Sequence, residues 1–160
     1  MDKGLIDFGV LIEPTDIKKY GYMKLPVYDT WGLLMRKDSD LAKKDYIEPT
    51  DLLKIPLLCS RQALANNEFS AWIGDNTEKL NVVATYNLIY NASLYVEEGF
   101  GYAITLDKLI NLTDDSNLCF KPITPSLKAN LVMVWKKYQV FSKATQIFLD
   151  ELRKEINREI

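Results

Sequence analysis

The apolar and polar positions of this chain fall into short runs separated by turn residues, and the stretch Leu80 to Ile110 organises the rest. Leu80, Val82, Val83 and Ala84 form a short apolar run rich in β-branched residues, the pattern of a buried strand. Asn87 stands at the N-cap position ahead of Leu88, Ala92, Tyr95 and Val96, which recur at helical spacing. Gly99-Phe100-Gly101 stops that helix, because glycine takes the left-handed conformation without steric cost. Tyr102 to Leu106 begins a second apolar run, which completes a βαβ unit with its parallel sheet and right-handed crossover. The turn Thr85-Tyr86-Asn87 then lies at the carboxyl end of a strand and opens a helix, where free backbone N–H groups point outward and ligands tend to bind.

The flanking segments read more simply. Leu5 to Ile12 is nearly continuous in apolar residues, as a central parallel strand covered on both faces requires, and Pro14 ends it with Glu13 at its tip. Ile17 to Tyr20 has room for one helical turn. Tyr22–Leu25 and Trp31–Arg36 read as two strands separated by Pro26-Val27-Tyr28-Asp29. Ser39 to Ala42 and Pro49 to Leu53 read as capped single turns, the second capped by Thr50. Pro56 to Cys59 is a short buried strand, followed by Ser60 as the cap of a helix from Arg61 to about Ile73, which Gly74-Asp75-Asn76 closes. Leu118 to Lys121 and Ala129 to Trp135 are β-prone, and Ser142 caps a last helix with Ala144, Phe148, Leu152 and Ile156 on one stripe.

Composition narrows the function classes. With 160 residues, 48% of them apolar and 26% charged, the chain is ordinary globular material of one domain or two small lobes. A net charge of -2 argues against a nucleic-acid surface, and the lysine doublets at 18–19, 43–44 and 136–137 are scattered rather than clustered. The chain has no histidine, which removes Ser-His-Asp and Cys-His nucleophilic arrangements and the commonest zinc ligand. Neither Glu97-Glu98 nor Asp114-Asp115 has metal-loop spacing, so no metal, cofactor or catalytic residue is assigned and an enzyme is not expected. Gly99-Phe100-Gly101 lacks the third glycine of a dinucleotide fingerprint and follows a helix instead of a strand. Cys59 and Cys119 read as two buried free thiols of a cytoplasmic protein, with a disulfide as the alternative, and the first residues lack the marks of a signal peptide. Two turns survive: Cys59-Ser60-Arg61-Gln62 and Thr85-Tyr86-Asn87 each follow a short strand and open a helix. Facing one cleft, they would suit a small polar or anionic ligand, although Ser60 and Asn87 also read as simple helix caps.

The order DFGVLIEP, LPVYDTWGLLMRKDSDLA, DLLKIPLL, YVEEGFGYAIT and LVMVWKKYQVFSKATQIFLDEL resembles the effector-binding domain of LysR-type transcriptional regulators. Asp38-Ser39-Asp40-Leu41-Ala42 stands for an HPLA-like turn without its histidine, and Val96 to Ile104 for a V-x-x-G-x-G-I-A-like turn. Thr105 to Lys108 replaces the proline-ended tip that usually follows. The resemblance implies an α/β, periplasmic-binding-protein-like type II two-lobed fold that is incomplete. Residues 1–22 and 131–160 would be a remnant of lobe I, and 23–130 a whole lobe II. It further implies that Asn87, Thr85, Tyr86, Ser60, Arg61 and Glu13 line an inducer cleft, and that DNA is reached only through a winged helix-turn-helix outside these residues.

On this reading the chain is the sensor of a bacterial regulator, closing on a metabolite and changing how subunits pack. A lobe of a solute-binding protein of a transport system is the alternative, and an enzyme on a related fold comes third. The apolar run Leu5 to Ile12, with its expected neighbours missing, predicts self-association into a dimer or higher species, strand exchange being one route.

Overall fold

The computed structural model describes residues 1, 4–64 and 67–158. The chain divides into two units: Met1–Tyr28 with Ala129–Ile160, and Asp29–Lys128.

In the first unit, β1 (Phe8–Ile12) pairs antiparallel with β7 (Lys128–Lys136), Phe8 opposite Trp135 and Ile12 opposite Leu131. The expected central parallel strand is therefore an antiparallel one at an edge. Its apolar run reads as two-sided cover, but among the described residues β7 alone pairs with it, and Leu5, Ile6 and Val10 stay more than half exposed. Ile17 to Tyr20 closes a hydrogen-bonded turn, Tyr20 N–H donating to Ile17 O at 2.9 Å, and not a helical turn. The closing helix α5 (Lys143–Arg158) is capped by Ser142, whose Oγ accepts from Thr145 N–H at 3.1 Å. Its inward stripe is Thr145, Leu149, Leu152 and Ile156, so Ala144 and Phe148 stand one position off the expected face and are exposed. Phe148 still meets Phe8, with ring centroids 5.6 Å apart.

Strand β2 (Tyr20–Arg36) runs unbroken through 17 residues where two strands are expected. Pro26 lies where the side chains on both faces are largely exposed, so a missing N–H there does not break a buried ladder. Beyond Trp31 every residue to Met35 is buried. That half of β2 belongs to the second unit, whose strands run in the order β6 (Leu118–Pro122), β2, β5 (Tyr102–Leu106), β3 (Leu57–Ser60), β4 (Val82–Tyr86). β3 pairs parallel with β4 on one side and β5 on the other, which is the parallel sheet the βαβ pattern requires. β4 is the outer strand, and Val83, Ala84 and Thr85 are exposed; the expected burial of this run fails because it has a partner on one side alone.

Helix α4 (Ile89–Glu97) connects β4 to β5 and packs Ala92 and Val96 against Leu34, Leu58 and Ala103. It ends as the glycines predict. Gly99 adopts φ +80°, Gly99 N–H donates to Val96 O at 3.0 Å, and Phe100 N–H to Tyr95 O at 3.0 Å. The Tyr95 and Phe100 rings meet at 5.9 Å, and the Arg36 guanidinium, already forked onto Asp38, donates to Glu97 O at 3.0 Å. The opposite face is covered by α2 (Arg61–Leu64) and α3 (Asn67–Ile73), two short helices where the sequence predicts one; residues 65 and 66 between them lie outside the described residues.

The turn at Ser39 is capped as expected, Ser39 Oγ accepting from Leu41 N–H at 3.2 Å. The helix α1 (Pro49–Leu52) is capped differently: Glu48, not Thr50, is the N-cap, and Asp51 reaches back to its N–H at 3.0 Å. Asp51 also accepts two hydrogen bonds from Lys44 Nζ, at 2.7 and 2.8 Å. Burial pushes the Asp51 carboxyl up, but these donors outweigh it and the net shift is downward. A carboxyl lowered on folding stabilises the native state above its unfolded pKa, and that stabilisation is lost as pH falls through the folded value. Asp51→Ala is expected to lower stability at pH 7 by about 1 kcal/mol, with the gap to the parent narrowing in denaturant titrations run below about pH 3.9. Both cysteines are free, and burial pushes the Cys59 thiol up to about 11. Cys119 is half-buried instead of fully buried. A thiol-reactive disulfide reagent is expected to modify Cys119 in the native protein and Cys59 only on unfolding.

Candidate functional site

The parallel pairing of β3 and β4 fixes where the two surviving turns meet. The register sets Cys59 beside Thr85 and Ser60 beside Tyr86, so both strands finish at the same edge, one row apart from Ile104 of β5. Ser60 and Arg61 leave β3 there, and Thr85, Tyr86 and Asn87 leave β4 alongside. These five residues of the second unit come together. Glu13 belongs to the first unit, at the tip of β1, where its carboxylate lies 4.0 Å from Lys24 Nζ.

Each member of this edge has a different chemical standing. Ser60 Oγ accepts from Ala63 N–H at 2.9 Å and so caps α2 while remaining partly exposed. Arg61 is exposed and contributes the positive charge of the edge. Asn87 does not cap α4: the N-cap is Leu88, which carries no side-chain acceptor, and the Asn87 side chain is exposed just before it. The expected cap fails because the chain takes one more extended residue, Leu88 at φ -123° and ψ 119°, before the helix begins. That shift leaves the Asn87 amide, with both a donor and an acceptor, free of the helix. Thr85 is exposed on the edge strand.

Tyr86 behaves unlike the others. Its ring packs against the core under α4, and its hydroxyl donates to Ile104 O of β5 at 2.6 Å, reaching across β3. Burial pushes its phenol up to about 12, so it stays neutral and bound to that carbonyl. Tyr86 therefore straps three strands together beneath the edge. Thr105, which is buried beside it at 4% exposure, completes this polar floor. Sequence reasoning placed Tyr86 in the site for its hydroxyl but missed the floor, because nothing local predicts a bond to a carbonyl 18 residues away. The edge can therefore offer hydrogen-bond donors, acceptors and one cation to a small polar molecule. Among the described residues no group of three or more Cys, Asp or Glu converges to hold a metal, and no helix is long and apolar enough to cross a membrane.

Comparison with known proteins agrees with this architecture. The chain is 27% identical over 161 residues to the uncharacterized HTH-type transcriptional regulator YfeR of Shigella flexneri, covering 97% of this chain and 50% of that protein. It thus spans about half the length of that relative. Among solved structures it is similar to the regulatory domain of Synechocystis PCC6803 CcmR in complex with 2-PG. There the TM-score is 0.75 at 18% identity, over 98% of this chain and 76% of the other. It is also similar to the effector binding domain of QuiR in complex with shikimate, with a TM-score of 0.78 at 13% identity, over 98% of this chain and 75% of that one. At these identities the structures establish a shared fold, the mixed α/β architecture of periplasmic-binding-protein-like type II effector domains. The family model for the LysR substrate binding domain matches residues 1–157, and the protein accordingly belongs to that family.

Proposed function

We propose that the chain is the effector-sensing part of a bacterial, cytoplasmic LysR-type regulator, and that the edge formed by Ser60, Arg61, Thr85, Tyr86 and Asn87 binds a small polar or anionic metabolite. The observation that carries the reading is the register of β3 and β4, which sets both strand-end turns side by side with an exposed guanidinium and an uncommitted amide. Arg61 would fork onto a carboxylate or phosphate, while Asn87 and Thr85 would hydrogen-bond hydroxyls. The complexes of CcmR with 2-PG and of QuiR with shikimate support this ligand class by likeness alone.

In this reading residues 1–22 and 131–160 act as part of one lobe and 23–130 as the other. Effector binding shifts the population of lobe arrangements, and DNA is contacted only through a winged helix-turn-helix outside these residues. Exposed Leu5 and Ile6 before β1, exposed Val10 within it, and the edge of β1 that pairs with no strand among the described residues support self-association of the chain.

The reading separates binding from folding. Arg61→Ala and Asn87→Ala are each expected to weaken effector binding about tenfold by titration calorimetry, which is about 1.4 kcal/mol, with little change in thermal midpoint because both side chains are exposed. Ser60→Ala should cost stability as well, about 1 kcal/mol, through the lost cap. Full affinity in both the Arg61 and Asn87 variants would remove this edge from the site. Self-association predicts a weight-average mass above that of one chain by light scattering at micromolar concentration, and a clean monomer refutes it.

A further inference from the structure

At the end of the sheet away from the proposed edge, the second unit holds a cavity of about 310 Å³ lined by Arg36, Asp38, Ser39, Gly99, Gly101 and Tyr102. Topology brings these residues together. β5 runs parallel to β3, so its first residue, Tyr102, lies at the end opposite Ser60 and Tyr86. β2 runs antiparallel to β5, so its last residue, Arg36, arrives at that same end. The glycine stop of α4 and the Ser39 turn close the sides. Small-molecule sites fall at about 300–1,000 Å³, so this cavity has room for a small ligand alone.

The lining groups hold hydrogen-bonding capacity that the fold leaves unspent. A guanidinium has five N–H groups. Arg36 uses three of them: Nε and Nη2 on the Asp38 carboxylate at 2.9 and 2.6 Å, and Nη1 on Glu97 O at 3.0 Å. The other two have no partner among the described residues. Ser39 Oγ and the Tyr102 hydroxyl share one hydrogen bond at 3.0 Å, and Ser39 Oγ also accepts from Leu41 N–H. Whichever hydroxyl donates in the shared bond, the proton of the other is left over. Asp38 has accepted one bond at each oxygen and can accept more. Arg36 and Asp38 are exposed, and Ser39 and Tyr102 partly so, so donors and acceptors stand open side by side without any element having to move.

Charge narrows the ligand further. The Arg36 and Asp38 charges cancel, and Glu97 and Glu98 stand just before the glycine turn that lines the cavity. The bond to Asp38 pushes the Arg36 guanidinium up from its ordinary value, and the Glu98 and Glu97 charges add to that. An anion would have to take the guanidinium from Asp38 against those carboxylates, and a cation would meet the guanidinium itself. A hydroxyl both donates and accepts, so a molecule carrying several of them answers Arg36, Asp38 and the spare hydroxyl proton at once. We propose that this cavity binds an uncharged, polyhydroxylated molecule of monosaccharide size, as a second ligand site separate from the cationic edge at Arg61. The two ends of one sheet then differ in selectivity, one taking acceptor-rich anions and the other neutral polyols. This site does not rest on the effector-binding reading of the edge.

The test is a nuclear magnetic resonance titration of the 160-residue chain labelled with 15N. Glucose, galactose, glycerol and myo-inositol are the uncharged probes, with citrate and putrescine as charged ones. The expected result is that at least one polyol moves the backbone amides of Ser39, Gly99, Gly101 and Tyr102 and the Arg36 Nε–H saturably, leaving the amides of Thr85 and Asn87 in place. Tyr102→Phe keeps the ring and removes one hydroxyl, and Arg36→Lys keeps the charge and removes the fork; binding is expected to weaken tenfold or more in each. If Tyr102→Phe does not fold, Arg36→Lys carries the comparison. The inference is overturned if no polyol moves these amides, if the shifts do not saturate, if citrate or putrescine binds there more tightly than every polyol, or if a folded variant binds with undiminished affinity. Each of these outcomes leaves the reading of the edge at Arg61 and Asn87 standing, since that edge is tested by its own variants.

Discussion

Parallel pairing on both sides of β3 is the constraint on which the second unit depends. A parallel strand cannot be reached by a hairpin, so the chain must cross over between neighbours, and it does so with α4 on one face and with α2 and α3 on the other. The same pairing aligns strand ends, so two turns distant in sequence finish together without any contact designed between their side chains. Tyr86 makes that alignment rigid: its bond to Ile104 O joins β4 to β5 across the strand between them. The outer strand would otherwise hang on one ladder alone.

Much of this was legible in the residues. The β4–α4–β5 unit follows from a β-branched run, a helical period and a glycine stop, and the Gly99 turn forms as glycine chemistry dictates. Patterns of this kind are local, and local patterns survive folding. The errors share a cause as well. Leu5 to Ile12 and Leu80 to Ala84 are apolar enough to be buried, yet each lies beside a single partner, and strand order is a property of the whole sheet. Pro26 looked like a break but lies where β2 is exposed. Asn87 and Thr50 looked like caps, and each was displaced by a neighbour, Leu88 and Glu48, because the exact residue at which a chain turns helical is set by packing within a residue or two.

For the candidate site, the turns were legible and the floor was not. Ser60, Arg61, Thr85 and Asn87 announce themselves as polar residues after strands. Thr105 sits inside a run that reads as plain β-structure, and its hydroxyl matters only because of what the sheet places beside it. The chemistry of an edge is visible in sequence where it faces water, and hidden where it faces the core.

The polar floor bears on how the candidate site responds to pH. The chain has no histidine, and with the Tyr86 phenol pushed up to about 12 and the Cys59 thiol to about 11, these two groups beneath the edge stay neutral near neutral pH. If the proposed site binds a metabolite, its floor would add no acidity dependence of its own near neutral pH, and any such dependence would come from groups above the floor, those of the metabolite included.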